Sequence, residues 1–96
     1  MEDLPLHLTV TTPDQTRSVR CDAVNFLVPD SPDNPNAGGS IGIRRGHADA
    51  LMAISPGRIT ARAGGHTVLS VDSSAGFAVI RRDEITIIVN RIDETE

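Results

Sequence analysis

Three histidines, one cysteine, a serine pair and two arginine pairs are the residues of this 96-residue chain whose chemistry reaches beyond packing. His7, His47 and His66 stand singly, with no His-x-His or His-x-x-x-His pair, and Cys21 has no second cysteine. A zinc site needs at least three protein ligands, which here would have to be gathered from distant parts of the chain. His7 and His66 read as solvent-facing strand residues. His47 follows Gly46 at a turn, where it suits binding or structural hydrogen bonding. Ser73-Ser74 lack a Gly-x-Ser-x-Gly elbow and any neighbouring base, so they read as residues that open a strand. Gly38-Gly39-Ser40-Ile-Gly42 is glycine-rich but lacks the lysine and the following helix of a phosphate-binding loop. Arg44-Arg45 and Arg81-Arg82 read as solvated strand ends, one member of each pair on a given face. The acids show no spacing that isolates a general acid/base pair. These residues point to no catalytic group, no cofactor and no metal.

The elements that must position them are built from little aromatic material. Apolar residues make up 39% of the chain, but there are two Phe and no Tyr or Trp. The expected core is therefore Ile, Val, Leu and Ala, with Phe26 and Phe77 as its aromatic anchors. A chain of this length makes one domain. Every cation is an Arg, whose planar fork suits carboxylates at an interface. The net charge is −4, but Glu2, Asp3, Asp93, Glu94 and Glu96 hold five of the 13 acids. Eight acids then face nine arginines in the body, and the acidic excess sits on the tails. That balance argues against nucleic acid, which calls for a basic patch and often for stacking aromatics. No apolar run approaches the ~20 residues of a membrane span. An acidic start is the opposite of a signal-peptide n-region, and a lone cysteine fits a reducing cytosol.

Leu6, Leu8 and Val10 alternate with His7, Thr9 and Thr11, the period of a half-buried strand. Pro13-Asp14 is a turn signal, and Arg17 to Val19 a short returning strand. Cys21 to Val28 is nearly continuous in apolar residues, with Val24, Phe26 and Val28 on one face and Cys21, Ala23 and Leu27 on the other. Pro29 to Gly39 holds three prolines and two glycines, which exclude a regular strand or helix and predict an exposed loop. Ile41 and Ile43 flank Gly42 in a short strand. His47 to Ile54 is read as a strand with Leu51 and Ala53 on one side and Met52 and Ile54 on the other, ended by Pro56-Gly57. Ile59, Ala61 and Ala63 alternate with Arg58, Thr60 and Arg62. Gly64-Gly65 then predicts a tight hairpin into His66–Val71. Ala75 to Ile80 is a further strand with a turn at Arg82-Asp83, and Ile85, Ile87 and Val89 mark the last. About nine to ten strands and no helix predict an all-β antiparallel sandwich or barrel over residues 1–92, with 93–96 an acidic tail.

Gly42-Ile-Arg-Arg-Gly-His47, Leu51 and Ser55-Pro-Gly57 resemble the epsilon subunit of F-type rotary ATP synthases. The family pattern is Gly-x-Gly-Ile/Val-x-Pro-Gly-His-Ala-Pro-Leu-Leu, then a short strand and Lys-Pro-Gly, with Gly39 as the best match for its first glycine. Leu6-His-Leu-Thr-Val-Thr-Thr-Pro13, Cys21-Asp-Ala-Val24, Ser74-Ala-Gly-Phe-Ala-Val79 and Glu84-Ile-Thr-Ile87 extend the likeness from about Leu6 to Asn90. Arg45 and Asp49 stand where the pattern has Pro, and the 29–39 loop is longer than the usual tight turn. The resemblance implies a flattened sandwich of two five-stranded antiparallel sheets, and a subunit that catalyses nothing itself. It implies a central-stalk rotor part that joins the gamma subunit to the membrane c-ring in proton- or sodium-driven ATP synthesis, at the cytoplasmic face of the membrane and without inserting into it. Ser40, Gly42, Arg44, Arg45 and His47 are the expected contacts with gamma or the ring, with no small-molecule substrate. The family's C-terminal helical pair has no counterpart in these residues, so inhibition by those helices is not expected.

Two other readings share parts of this pattern. A free-standing β-sandwich adaptor would keep the fold without the rotor partners, and a small cupin-type enzyme would need clustered histidines around a metal.

Overall fold

In the computed structural model, residues 4–29 and 39–94 are described. They form ten strands: β1 (Leu6–Thr11), β2 (Thr16–Cys21), β3 (Ala23–Val28), β4 (Gly39–Arg44), β5 (Ala50–Ile54), β6 (Gly57–Ala63), β7 (His66–Ser73), β8 (Gly76–Arg81), β9 (Glu84–Val89) and β10 (Ile92–Glu94). Two five-stranded sheets result, ordered β2-β1-β9-β8-β5 and β10-β7-β6-β3-β4. The body is flattened, with principal extents of 44 × 30 × 21 Å.

Alternation decides which side chains meet between the sheets. Leu6, Leu8 and Val10 of β1 pack with Ile85, Ile87 and Val89 of β9, with Ile59 and Ala61 of β6, and with Val24 and Phe26 of β3. In the first sheet β1–β2 and β8–β9 are hairpins and β5 pairs antiparallel with β8 across a longer connection, while at the centre β1 runs parallel to β9, Leu8 opposite Ile85 and Val10 opposite Ile87. That pair departs from the all-antiparallel expectation. Strands β2 to β8 intervene in the chain between that pair, so no short hairpin fixes its direction. Gly64 and Gly65 take φ of 58° and 82°, the left-handed pair of a type I′ turn between β6 and β7.

Four expectations need correction. The apolar run from Cys21 to Val28 is not one strand, because the chain bends at Asp22 and changes sheet. Cys21 closes β2 opposite Leu6 and is buried with Val24 and Phe26 in the core. Asp22 holds the corner: its backbone N–H donates to Arg62 O at 2.8 Å and its Oδ2 accepts from Gly64 N at 3.0 Å. Phe26 is 1% exposed, but Phe77 is 54% exposed and is no core anchor. Ala78 and Ile80 are the inward residues of β8, which turns Phe77 outward. Ser73 ends β7 rather than opening a strand. Asp93 and Glu94, expected in an acidic tail, pair in β10 with Asp72 and Val71, and Arg17 of β2 forms an ion pair with Glu94. Of the 29–39 loop, residues 30–38 lie outside the described residues, and Gly39 already belongs to β4.

Candidate functional site

Strand β4 is the edge of its sheet, with only β3 beside it. Its alternation puts Ile43 in the core and turns Ser40, Gly42 and Arg44 to the outer face, opposite Leu27, Asn25 and Ala23. Arg45 and Gly46 form the turn that follows, closed by His47 N donating to Arg44 O at 3.2 Å. The His47 ring lies with Nδ1 2.7 Å from Ala48 O. A carbonyl only accepts, so Nδ1 donates, and in the neutral ring Nε2 keeps the lone pair. Of the five expected contact residues, Arg44, Arg45 and His47 are brought together at one end of the sandwich. Ser40 sits at the other end of the strand, roughly 13 Å away at about 3.3 Å per residue.

The link from β4 to β5 is fastened to the hairpin beside β5 in the same sheet. Asp49 Oδ1 accepts a 2.7 Å hydrogen bond from the backbone N–H of Arg82, in the β8–β9 turn. Asp49, Arg81, Arg82 and Glu84 line an open depression there. Glu84 Oε2 lies 3.1 Å from His7 Nδ1 on the neighbouring strand β1.

Groups that could do covalent chemistry are engaged structurally. Ser73 is buried and its hydroxyl donates to Gly57 O at 3.4 Å. Ser74 Oγ accepts from Asn90 N and Arg91 N, both at 3.1 Å, and holds the link between β9 and β10. Burial pushes the Cys21 thiol above its ordinary pKa and the adjacent Asp22 carboxylate pushes it further, so little thiolate forms near neutral pH. Among the described residues, no three His, Cys, Asp or Glu side chains come close enough to share a metal.

The feature that the sequence reading missed is the outer face of the first sheet. Phe77 sits between Ala53 of β5 and Ile88 of β9, and Leu51 sits opposite Val79. Leu51 is 72% exposed and Ile88 48%. Three large apolar side chains thus crowd one side of a sheet whose opposite side already faces the core. Strands β1 and β2 continue the face with hydroxyls, Thr9 bonded to Ser18 and Thr11 to Thr16. The available signal was apolar residues on both parities: Phe77 beside Ala78, and Ile88 between Ile87 and Val89.

The family model for the ATP synthase delta/epsilon chain β-sandwich domain matches residues 5–95. An ATP synthase epsilon chain of Synechococcus sp. (strain JA-2-3B'a(2-13)) is 33% identical over 97% of this chain, and one of Cyanothece sp. (strain PCC 7425) is 37% identical over 78%. The chain spans only 62% and 56% of the lengths of those relatives. A chain from the Euglena gracilis mitochondrial ATP synthase (OSCP/F1/c-ring) superposes with a TM-score of 0.73 at 17% identity, over 96% of this chain and 54% of that one. One from the Tetrahymena thermophila mitochondrial ATP synthase central stalk and c-ring gives 0.68 at 12% identity, over 98% and 69%. At those identities the structural likeness speaks for the fold.

Proposed function

The chain belongs to the ATP synthase delta/epsilon β-sandwich family, and on that premise we propose that it is a non-catalytic central-stalk subunit coupling gamma to the c-ring. Its place is the cytoplasmic face of the membrane, within the assembled synthase. The coupling ion is a proton or sodium, which other subunits carry.

The single observation that carries this reading is the exposed apolar face of Leu51, Phe77 and Ile88 on a sheet with a complete core behind it. Exposed apolar clusters on small domains mark contact surfaces, and a large subunit such as gamma is the occupant that family membership supports. Ser40, Gly42, Arg44, Arg45 and His47 supply the polar contacts with gamma or the ring. Two stacked sheets with a close-packed interior resist deformation, which suits a part that transmits force without chemistry.

Co-expression with the gamma and ring subunits of the same synthase tests the proposal. The tagged chain is expected to capture both. Arg45→Ala/His47→Ala should weaken capture, and Leu51→Asp should abolish capture of gamma while leaving the chain folded. A chain that purifies alone, as a monomer, would favour a free-standing adaptor instead.

A further inference from the structure

The two arginine pairs that look in the sequence like solvated strand ends meet at one end of the sandwich. Arg44-Arg45 leads out of β4 and Arg81-Arg82 out of β8, and the Asp49–Arg82 hydrogen bond pins the two turns together. The strand order carries Arg20 and Arg62 to the same end. Among the described residues, six arginines there face four carboxylates, Asp22, Asp49, Asp83 and Glu84, an excess of two cations. At the opposite end, again among the described residues, Arg17, Arg58 and Arg91 are outnumbered by Asp14, Asp72, Asp93 and Glu94.

The carboxylates of the arginine-rich end are largely engaged. Asp49 holds the Arg82 amide, Asp22 the Gly64 amide, and Glu84 lies on His7. Among the described residues, no carboxylate pairs with Arg44, Arg81 or Arg82, whereas Arg17 and Arg58 at the other end pair with Glu94 and Asp72. We propose that the β4–β5 and β8–β9 turns form a docking surface for a carboxylate-rich protein segment, gripped by Arg81 and Arg82 with Arg44 and Arg45 beside them. Guanidinium forks match carboxylates two bonds at a time. Asp49 and Glu84 in the same depression would repel the denser charge of a phosphate. A membrane surface is disfavoured because the turn tips, Arg45-Gly46 and Arg82-Asp83, offer nothing apolar to insert.

Arg45 and Asp49 are the two positions at which this sequence departs from the resembled pattern by replacing Pro. A proline at 49 has no side-chain acceptor for the Arg82 amide, so a chain that keeps both prolines of that pattern would lack the fastening and one of the four arginines. The inference rests on the rotor reading for the neighbour's being a subunit of the same complex, and on charge placement alone for its chemistry.

Amide spectra of the isotope-labelled chain, titrated with a hexaglutamate peptide, test it. Shifts are expected at residues 44–49 and 81–84, absent with hexaglutamine and suppressed by hundreds of millimolar salt. Arg81→Gln/Arg82→Gln should weaken the peptide roughly tenfold. No shift at those amides, or equal shifts around Arg17, Arg58 and Arg91, would overturn the proposal. Saturation of the same amides at lower concentration by sodium phosphate or phosphatidylglycerol vesicles would also overturn it. Capture of gamma without hexaglutamate binding would remove this inference and leave the rotor reading standing. Binding of the peptide without capture of gamma would do the reverse.

Discussion

The carboxylate of Asp49 accepts a 2.7 Å hydrogen bond from the backbone amide of Arg82, 33 residues along the chain. Arg82 is the one non-glycine among the described residues with positive φ, at 56°, a conformation that L side chains adopt rarely. Asp49 therefore satisfies the amide at the most unusual backbone position in the sandwich and ties the start of β5 to the β8–β9 turn beside it in the same sheet. Asp49→Ala should lower stability by about 1 kcal/mol and speed exchange of the Arg82 amide, while Asp49→Asn, whose amide oxygen still accepts, should retain most of both. Denaturant midpoints and native-state hydrogen exchange check this, and unchanged protection at Arg82 would contradict it.

The two phenylalanines should separate folding from docking. Phe26→Ala empties a fully buried site and is expected to cost about 3–5 kcal/mol, a large part of the stability of so small a domain. Phe77→Ala removes a half-exposed ring from the outer face and should cost about 1 kcal/mol or less. Thermal unfolding of the isolated variants measures both, and only Phe77→Ala should keep the native fold while losing partner capture.

Glycine substitutions should differ by the nature of the atom in the way. A Cβ on Gly76 would lie 2.0 Å from the carbonyl oxygen of Ile88, which is backbone in the paired strand and has nowhere to go. Gly76→Ala should cost on the order of 3 kcal/mol and disturb the β8–β9 ladder. A Cβ on Gly42 would lie 2.9 Å from Asn25 Oδ1, the end of a side chain that can rotate away. Gly42→Ala should shift stability by less than about 1 kcal/mol. Equal effects in calorimetry would contradict the assignment.

Much of the fold was legible because its strands are half-buried and alternate. Ile59, Ala61 and Ala63, or Leu51 against Met52, place themselves by parity alone, and Gly64-Gly65 states its turn. The corner at Asp22 was illegible because apolar residues run through it, and only the long-range bonds to Arg62 and Gly64 reveal the change of sheet. Phe77 was misplaced for a related reason. An apolar residue on the outward parity of an apolar strand carries no local mark of its exposure. The candidate site was legible in its parts but not in its assembly. Arg44, Arg45, Arg81 and Arg82 stand out as pairs, while the Asp49 bond that unites their turns links positions 33 residues apart and has no periodicity to announce it.

Alkaline pH should destabilise the chain through Cys21. Burial raises the thiol above its ordinary value of 9.0, with Asp22 adding to the rise and the Ala23 backbone opposing it. The folded state therefore holds the proton more tightly than the unfolded state. The contribution is fully present below the unfolded pKa and is lost as pH rises through the folded one. The chain has no Tyr and no Lys, so no other side chain of ordinary pKa titrates there. Denaturant stability should stay flat toward pH 8 and fall above about pH 9, and Cys21→Ala should remove that slope. An identical slope in the variant would contradict the cause.

Thiol labelling of a Phe77→Cys variant, in the isolated chain and in membranes containing the assembled synthase, tests the central claim most directly. The native Cys21 is fully buried and gives a silent background. The account predicts rapid labelling of Cys at position 77 when the chain is alone, and strong protection once it is held in the complex. Equal labelling in both, or a chain that does not co-sediment with the synthase, would contradict it.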